Sequence, residues 1–98
     1  KFMITQLEEE ILNAYYEFVD ALKEKNSNKA DKIYEKIKSL LKEEPHDSDL
    51  FIPFIEMRND IIEYGDNYEA IASAYNALVY EFKKVKYPDK YKDIDSNN

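Results

Sequence analysis

Glu43 and His46 stand three residues apart, and a Glu-x-x-His pair on one helix turns two metal ligands to the same side. A second such pair, facing the first across a bundle, completes a di-iron centre. Here Pro45 falls between the two ligands and interrupts the helix that would align them. His46 is the sole histidine, so no second pair exists and no metal site is expected. The same count removes Ser-His-Asp chemistry, because Ser27, Ser39, Ser48 and Ser73 have only this linker histidine as a base. Glu8, Glu9 and Glu10 are consecutive, and consecutive helical residues point in different directions. They read as a solvated first turn rather than as an acid–base pair. One glycine cannot build a phosphate-cradling loop. No cofactor and no small-molecule substrate are expected, and the chain reads as a non-enzymatic binding module.

The residues left for function are charged and aromatic. Lys83, Lys84, Lys86, Tyr87, Lys90 and Tyr91 crowd the C-terminal end, with Tyr80 one turn earlier. Such a cluster suits an anionic membrane surface or an acidic protein patch. Lysines at a helix C-terminus also complement the helix dipole, so both readings stay open. Tyr16 and Tyr80 lie off the main apolar stripes, where a ring either anchors a partner or packs at an edge. Arg58 is the one arginine among 14 basic residues, and it falls between Phe54 and Ile61. Its stem is expected to pass the core and its guanidinium to pair with a carboxylate of a neighbouring helix.

The 98 residues carry a formal charge of −7, which argues against nucleic-acid binding. The charge is uneven: residues 83–98 hold +2 and the remainder −9. There is no cysteine, hence no disulfide and no thiolate metal site. No apolar run approaches the ~20 residues that cross a bilayer, and no secretory signal is visible. A cytoplasmic protein is expected.

Four amphipathic stretches must position these residues. Ile4, Leu7, Ile11, Tyr15, Phe18 and Leu22 predict a helix over about 4–25, with Leu12 and Val19 widening its stripe. Asn26-Ser27-Asn28 breaks the pattern, and Ala30, Ile33, Ile37, Leu40 and Leu41 predict a second helix over 29–43, ended by Pro45. A third runs over 49–64, with Phe51, Phe54, Ile55, Ile61 and Ile62 inward. Ser48, Asp49 or Ile52 caps it; with Asp49, Pro53 sits in its first turn, and with Ile52 at its first position. Gly65 predicts a left-handed C-cap, and Asp66 with Glu69 resembles a capping box for a fourth helix over 67–86. Its inner face is Tyr68, Ile71, Ala72, Tyr75, Leu78, Val79, Phe82 and Val85. Pro88 ends it, leaving 88–98 as a flexible tail, extended or disordered beyond about Tyr91. Short loops then imply a single all-α domain over 1–98, an antiparallel up-down-up-down four-helix bundle.

Across residues 4–92 this layout resembles the immunity proteins of pediocin-like (class IIa) bacteriocins, in particular the enterocin A immunity group. The likeness rests on the two helical hairpins and on Leu50-Phe51-Ile52-Pro53-Phe54-Ile55 opening the third helix. It rests also on the Tyr64-Gly65-Asp66 turn and on the tyrosine- and lysine-rich end at Lys83 to Lys92. The resemblance implies a cytoplasmic bundle at the inner face of the membrane. There it would recognise a bacteriocin-occupied mannose phosphotransferase permease and confer antimicrobial resistance on the producer. It places specificity on the third and fourth helices and Lys83 to Tyr91. A different reading of the same bundle is a helical adaptor or antitoxin-like protein that self-associates through Leu12, Tyr16 and Val19; the immunity reading takes the chain as a monomer.

Overall fold

Thr5 starts the first helix. Its hydroxyl accepts from the Glu8 N–H at 3.1 Å, and the Glu8 carboxylate accepts from the Thr5 N–H at 2.9 Å. This reciprocal pair satisfies two backbone donors that a helix start leaves open. In the computed structural model, which describes residues 3–91, helix α1 spans Gln6–Lys23. It ends in a Schellman motif: the Asn26 N–H donates to the Ala21 carbonyl at 2.9 Å and the Lys25 N–H to the Leu22 carbonyl at 3.0 Å. The motif needs a left-handed residue, and Lys25 occupies it at φ 58°.

Helix α2 covers Ser27–Leu41 and is capped by Asn26, whose side chain accepts from the Lys29 N–H at 3.1 Å. It stops before Pro45 is reached. The Glu43 and Glu44 N–H groups bond to the Leu40 and Leu41 carbonyls three residues back, which tightens and closes the last turn. Helix α3 covers Phe51–Tyr64 with Leu50 at its N-cap and no side-chain cap, so none of Ser48, Asp49 and Ile52 plays that part. Pro53 lies in the first turn. The Phe54 N–H makes the bond to the Leu50 carbonyl at 2.9 Å, so the N–H that Pro53 lacks would have had no partner within the helix.

The turn into the fourth helix differs from expectation at two residues. Gly65 is right-handed, at φ −44° and ψ −28°, rather than a left-handed cap. Glycine fits there for another reason: a Cβ at Gly65 would lie 2.7 Å from the Ile61 carbonyl oxygen. Asp66 is not the cap either. The Asn67 N–H bonds to the Tyr64 carbonyl at 2.7 Å, which keeps one more residue in the turn. Asn67 then caps helix α4, Tyr68–Lys86, by accepting from the Ala70 N–H at 3.1 Å. Past Tyr87 the chain makes a helical turn at 88–91, where a flexible tail was expected to begin. Proline is preorganised for a first helical turn, and the Lys90 N–H bonds to the Tyr87 carbonyl at 3.1 Å. The rest of that expected tail, 92–98, lies outside the described residues.

The fold is all-helical, with no strand among the described residues. α1 packs most extensively against α2, α3 packs against α4, and α1 also meets α4; the seam between α2 and α3 is loose. Glu17 pairs with Lys36, Phe18 meets Tyr34, and Glu24 pairs with Lys29, an antiparallel register for α1 and α2. Ile11, Tyr15, Phe18, Ile37, Leu50, Phe54, Ile71, Leu78 and Phe82 form one buried cluster. The Tyr15 hydroxyl crosses it and donates to the Phe54 carbonyl at 2.6 Å. Three positions depart from the expected inner faces. Met57 is buried, because it sits three residues after Phe54 and four before Ile61 on one helical stripe. Ile62 is a residue past that stripe and is 65% exposed. Tyr68, at the first position of α4, is also exposed.

Candidate functional site

The lysines of the last turn of α4, Lys83, Lys84 and Lys86, sit where the helix dipole is negative. The helix closes at Tyr87, whose N–H donates to the Lys83 carbonyl at 2.7 Å. The turn at 88–91 then doubles back and sets Tyr91 edge-on to Tyr80, with ring centroids 5.6 Å apart. Lys84 Nζ stands 5.4 Å from the Tyr80 ring and 3.7 Å from Glu81, while Lys90 Nζ stands 5.8 Å from the Tyr91 ring. Tyr80, Lys84, Lys90 and Tyr91 therefore form one interleaved patch of cations and ring faces.

The other expected site residues are placed differently. Lys86 lies between the rings of Phe82 and Tyr87, at 6.0 and 5.7 Å, and pairs with Glu9 of α1 at 3.6 Å. That ion pair ties the end of α4 to the start of α1. Tyr87 remains half-exposed and Lys83 exposed beside it. Ring-backed ammonium groups of this kind lose little on desolvation against an anionic or aromatic surface. Tyr16, the other off-stripe tyrosine, meets Tyr75 with ring centroids 5.9 Å apart. Burial, with the Tyr16 phenol beside it, raises the Tyr75 hydroxyl above the ordinary phenol range.

Arg58 does not find the expected carboxylate. Among the described residues it makes no ion pair; its Nη2 donates to the Asn59 side chain at 3.2 Å and its Nε is buried without an acceptor. The Tyr15 hydroxyl is within its electrostatic reach. Burial pushes that phenol well above its ordinary range, and the Arg58 charge only partly offsets the effect.

A buried pair of carboxyls escaped the sequence reading. Glu8 was expected on a solvated turn, yet Glu8 and Glu44 are both buried, at 6% and 2% exposure. Glu44 Oε2 accepts from the Ser48 hydroxyl at 2.5 Å, while Oε1 faces no donor. Beside it is a second acceptor, the Glu8 carboxylate. A proton on Glu44 resolves this arrangement, since the protonated carboxyl donates to Glu8. Burial pushes Glu44 up to about 7, the Glu8 carboxylate adds to this, and the Ser48 hydroxyl pulls the other way. The signal that was available is the Thr5-x-x-Glu8 capping box, which locks Glu8 in one orientation.

His46 packs on Phe51 with the rings tilted by 40° and their centroids 4.6 Å apart, instead of turning with Glu43 toward a common ligand. Among the described residues no group of three or more His, Asp or Glu side chains gathers at ion-binding range. No described helix is long and apolar enough to cross a membrane. The chain matches no family model, no characterised protein and no solved structure.

Proposed function

We propose that the chain is a non-catalytic binding protein of the bacteriocin-immunity type. In this reading the helices form an up-down-up-down bundle that works as a monomer at the cytoplasmic face of the membrane. Its partner is the complex of a class IIa bacteriocin with its permease. The observation that carries the proposal is the patch of Tyr80, Lys84, Lys90 and Tyr91, flanked by Lys83, Lys86 and Tyr87, on a chain otherwise strongly acidic. Charge brings such a patch to an anionic membrane surface, and exposed tyrosines supply contact area at low entropic cost.

The self-associating adaptor is the weaker reading. It drew on the breadth of the α1 stripe, but Val19 is buried, Leu12 packs against the core and Tyr16 meets Tyr75. Of these three residues only Tyr16, 55% exposed, remains for a second copy.

The test is expression in a bacterium sensitive to class IIa bacteriocins, followed by challenge with a panel of those peptides. Selective resistance is expected, and truncation after Lys86 is expected to abolish it while helicity is retained. Sensitivity to every peptide, with soluble protein confirmed, would overturn the immunity reading. A sedimentation series returning a dimer at micromolar concentration would favour the adaptor.

A further inference from the structure

The loose seam between α2 and α3 holds a cavity of about 270 Å³, away from the α4 patch. Lys38 and Lys42 reach it from the end of α2, and Arg58 reaches it from the middle of α3. Among the described residues no carboxylate lines it, on a chain with 21 acidic residues. Its apolar lining is Leu41, Phe51 and Ile55, with the His46 ring packed on Phe51.

Two of the three cations here have no ion-pair partner among the described residues, and the third, Lys38, is held only on its own helix, by Glu35 and the Tyr34 ring. Lys42 makes no ion pair among the described residues. Lys38 holds Glu35 at 3.0 Å, but that partner is 70% exposed and the pair is readily exchanged. Arg58 has a neutral acceptor on Nη2 and none on its buried Nε. A buried donor without an acceptor is costly, and an external acceptor would relieve it. The dipole of α2 accounts for lysines at its C-terminal end. It does not account for an arginine in mid-α3 that converges on the same space.

We infer that this cavity is a binding site for a phosphate monoester carried on a small apolar body. Three cations suit a dianion better than a single carboxylate, and a guanidinium fork matches phosphate oxygens. The Leu41, Phe51 and Ile55 surface receives the apolar part and excludes water from one side of the ion contacts, which strengthens them. At about 30 Å³ per water, the volume holds roughly nine water-sized groups, enough for a phosphate and a ring or short chain. A soluble phosphorylated metabolite and the headgroup of a phosphatidic-acid-type lipid present the same chemistry. The site stands independently of the immunity reading.

The test uses phenyl phosphate as probe, followed by amide chemical shifts of the intact chain. Inorganic phosphate, phenol and benzoate serve as partial ligands. Phenyl phosphate is expected to shift the amides of Lys42, Phe51 and Arg58 and to bind about tenfold or more tighter than inorganic phosphate. Lys42→Gln should weaken it about five- to tenfold, the loss of one charge-assisted contact. Arg58→Gln should abolish it, and the remote Lys29→Gln should leave it unchanged. Lys42 is exposed and makes no ion pair among the described residues, so its variant keeps the test valid if Arg58→Gln fails to fold. Equal effects of Lys42→Gln and Lys29→Gln would overturn the proposal, as would benzoate binding as tightly as phenyl phosphate. A flotation arm with phosphatidic acid in phosphatidylcholine vesicles distinguishes the sources. Flotation that Lys42→Gln lowers assigns a lipid headgroup; phenyl phosphate binding without flotation assigns a soluble ligand.

Discussion

Replacing Glu44 by Gln should remove a pH dependence from the stability of this protein. Glu44 is buried against the Glu8 carboxylate, and its proton is held up to about 7. In the unfolded chain the same carboxyl loses its proton near 4.5. Between those values the folded state binds more protons than the unfolded one. The stabilisation is therefore complete below about pH 4.5 and is lost as pH rises through about 7. At about 1.4 kcal/mol per pH unit, this interval corresponds to at most about 3.5 kcal/mol. Water reaching the loop at 42–50 would lower this, so about 1–3 kcal/mol is expected. Glutamine copies the protonated carboxyl: its amide donates to Glu8 and its oxygen accepts from Ser48. Urea denaturation of both proteins at pH 5 and pH 8 measures the effect. The advantage of Glu44→Gln over the parent should grow by about 1–3 kcal/mol between the two pH values. A stability difference that stays constant from pH 5 to pH 8 would refute the buried, proton-sharing pair.

Lys25→Gly should stabilise the chain by about 0.5–1 kcal/mol in urea denaturation, because it relieves a left-handed lysine in the Schellman turn after α1. Asn67→Ala should cost about 1 kcal/mol while Asp66→Ala stays within about 0.5, since only Asn67 caps α4. Gly65→Ala should destabilise by about 1–2 kcal/mol, measured the same way, because its Cβ meets a backbone oxygen that cannot turn aside. Tyr15→Phe should lose about 1 kcal/mol with the bond to Phe54, and alkaline titration by ultraviolet absorbance should lose a tyrosine that resists ionisation until the protein unfolds.

Much of the local structure could be read before any coordinates. The stops at Asn26 and Pro45, the short turn at Gly65 and the apolar stripes located four helices to within a few residues. Errors at their ends came from neighbouring residues competing for one role. Asn67 displaced Asp66 as cap because one more residue entered the turn, and Leu50 capped α3 without a side-chain bond. At the candidate site, the alternation of lysine and tyrosine from Tyr80 to Tyr91 was visible in the sequence. The contact of Tyr80 with Tyr91 was not, because it depends on the helical turn that follows Pro88.

The sequence by itself determined the all-helical class, the order of the helices, most of the buried stripe and the concentration of positive charge at the C-terminal end. These properties rest on bonds and spacings within a few residues, which local residue types specify. Tertiary structure alone decided that Glu8 would lie buried against Glu44, that Tyr15 would reach the Phe54 carbonyl and that Arg58 would face a cavity with Lys38 and Lys42. Each of these joins residues far apart in the chain. Which helical faces meet, and in what register, follows from packing the whole core at once, and no local pattern encodes that choice.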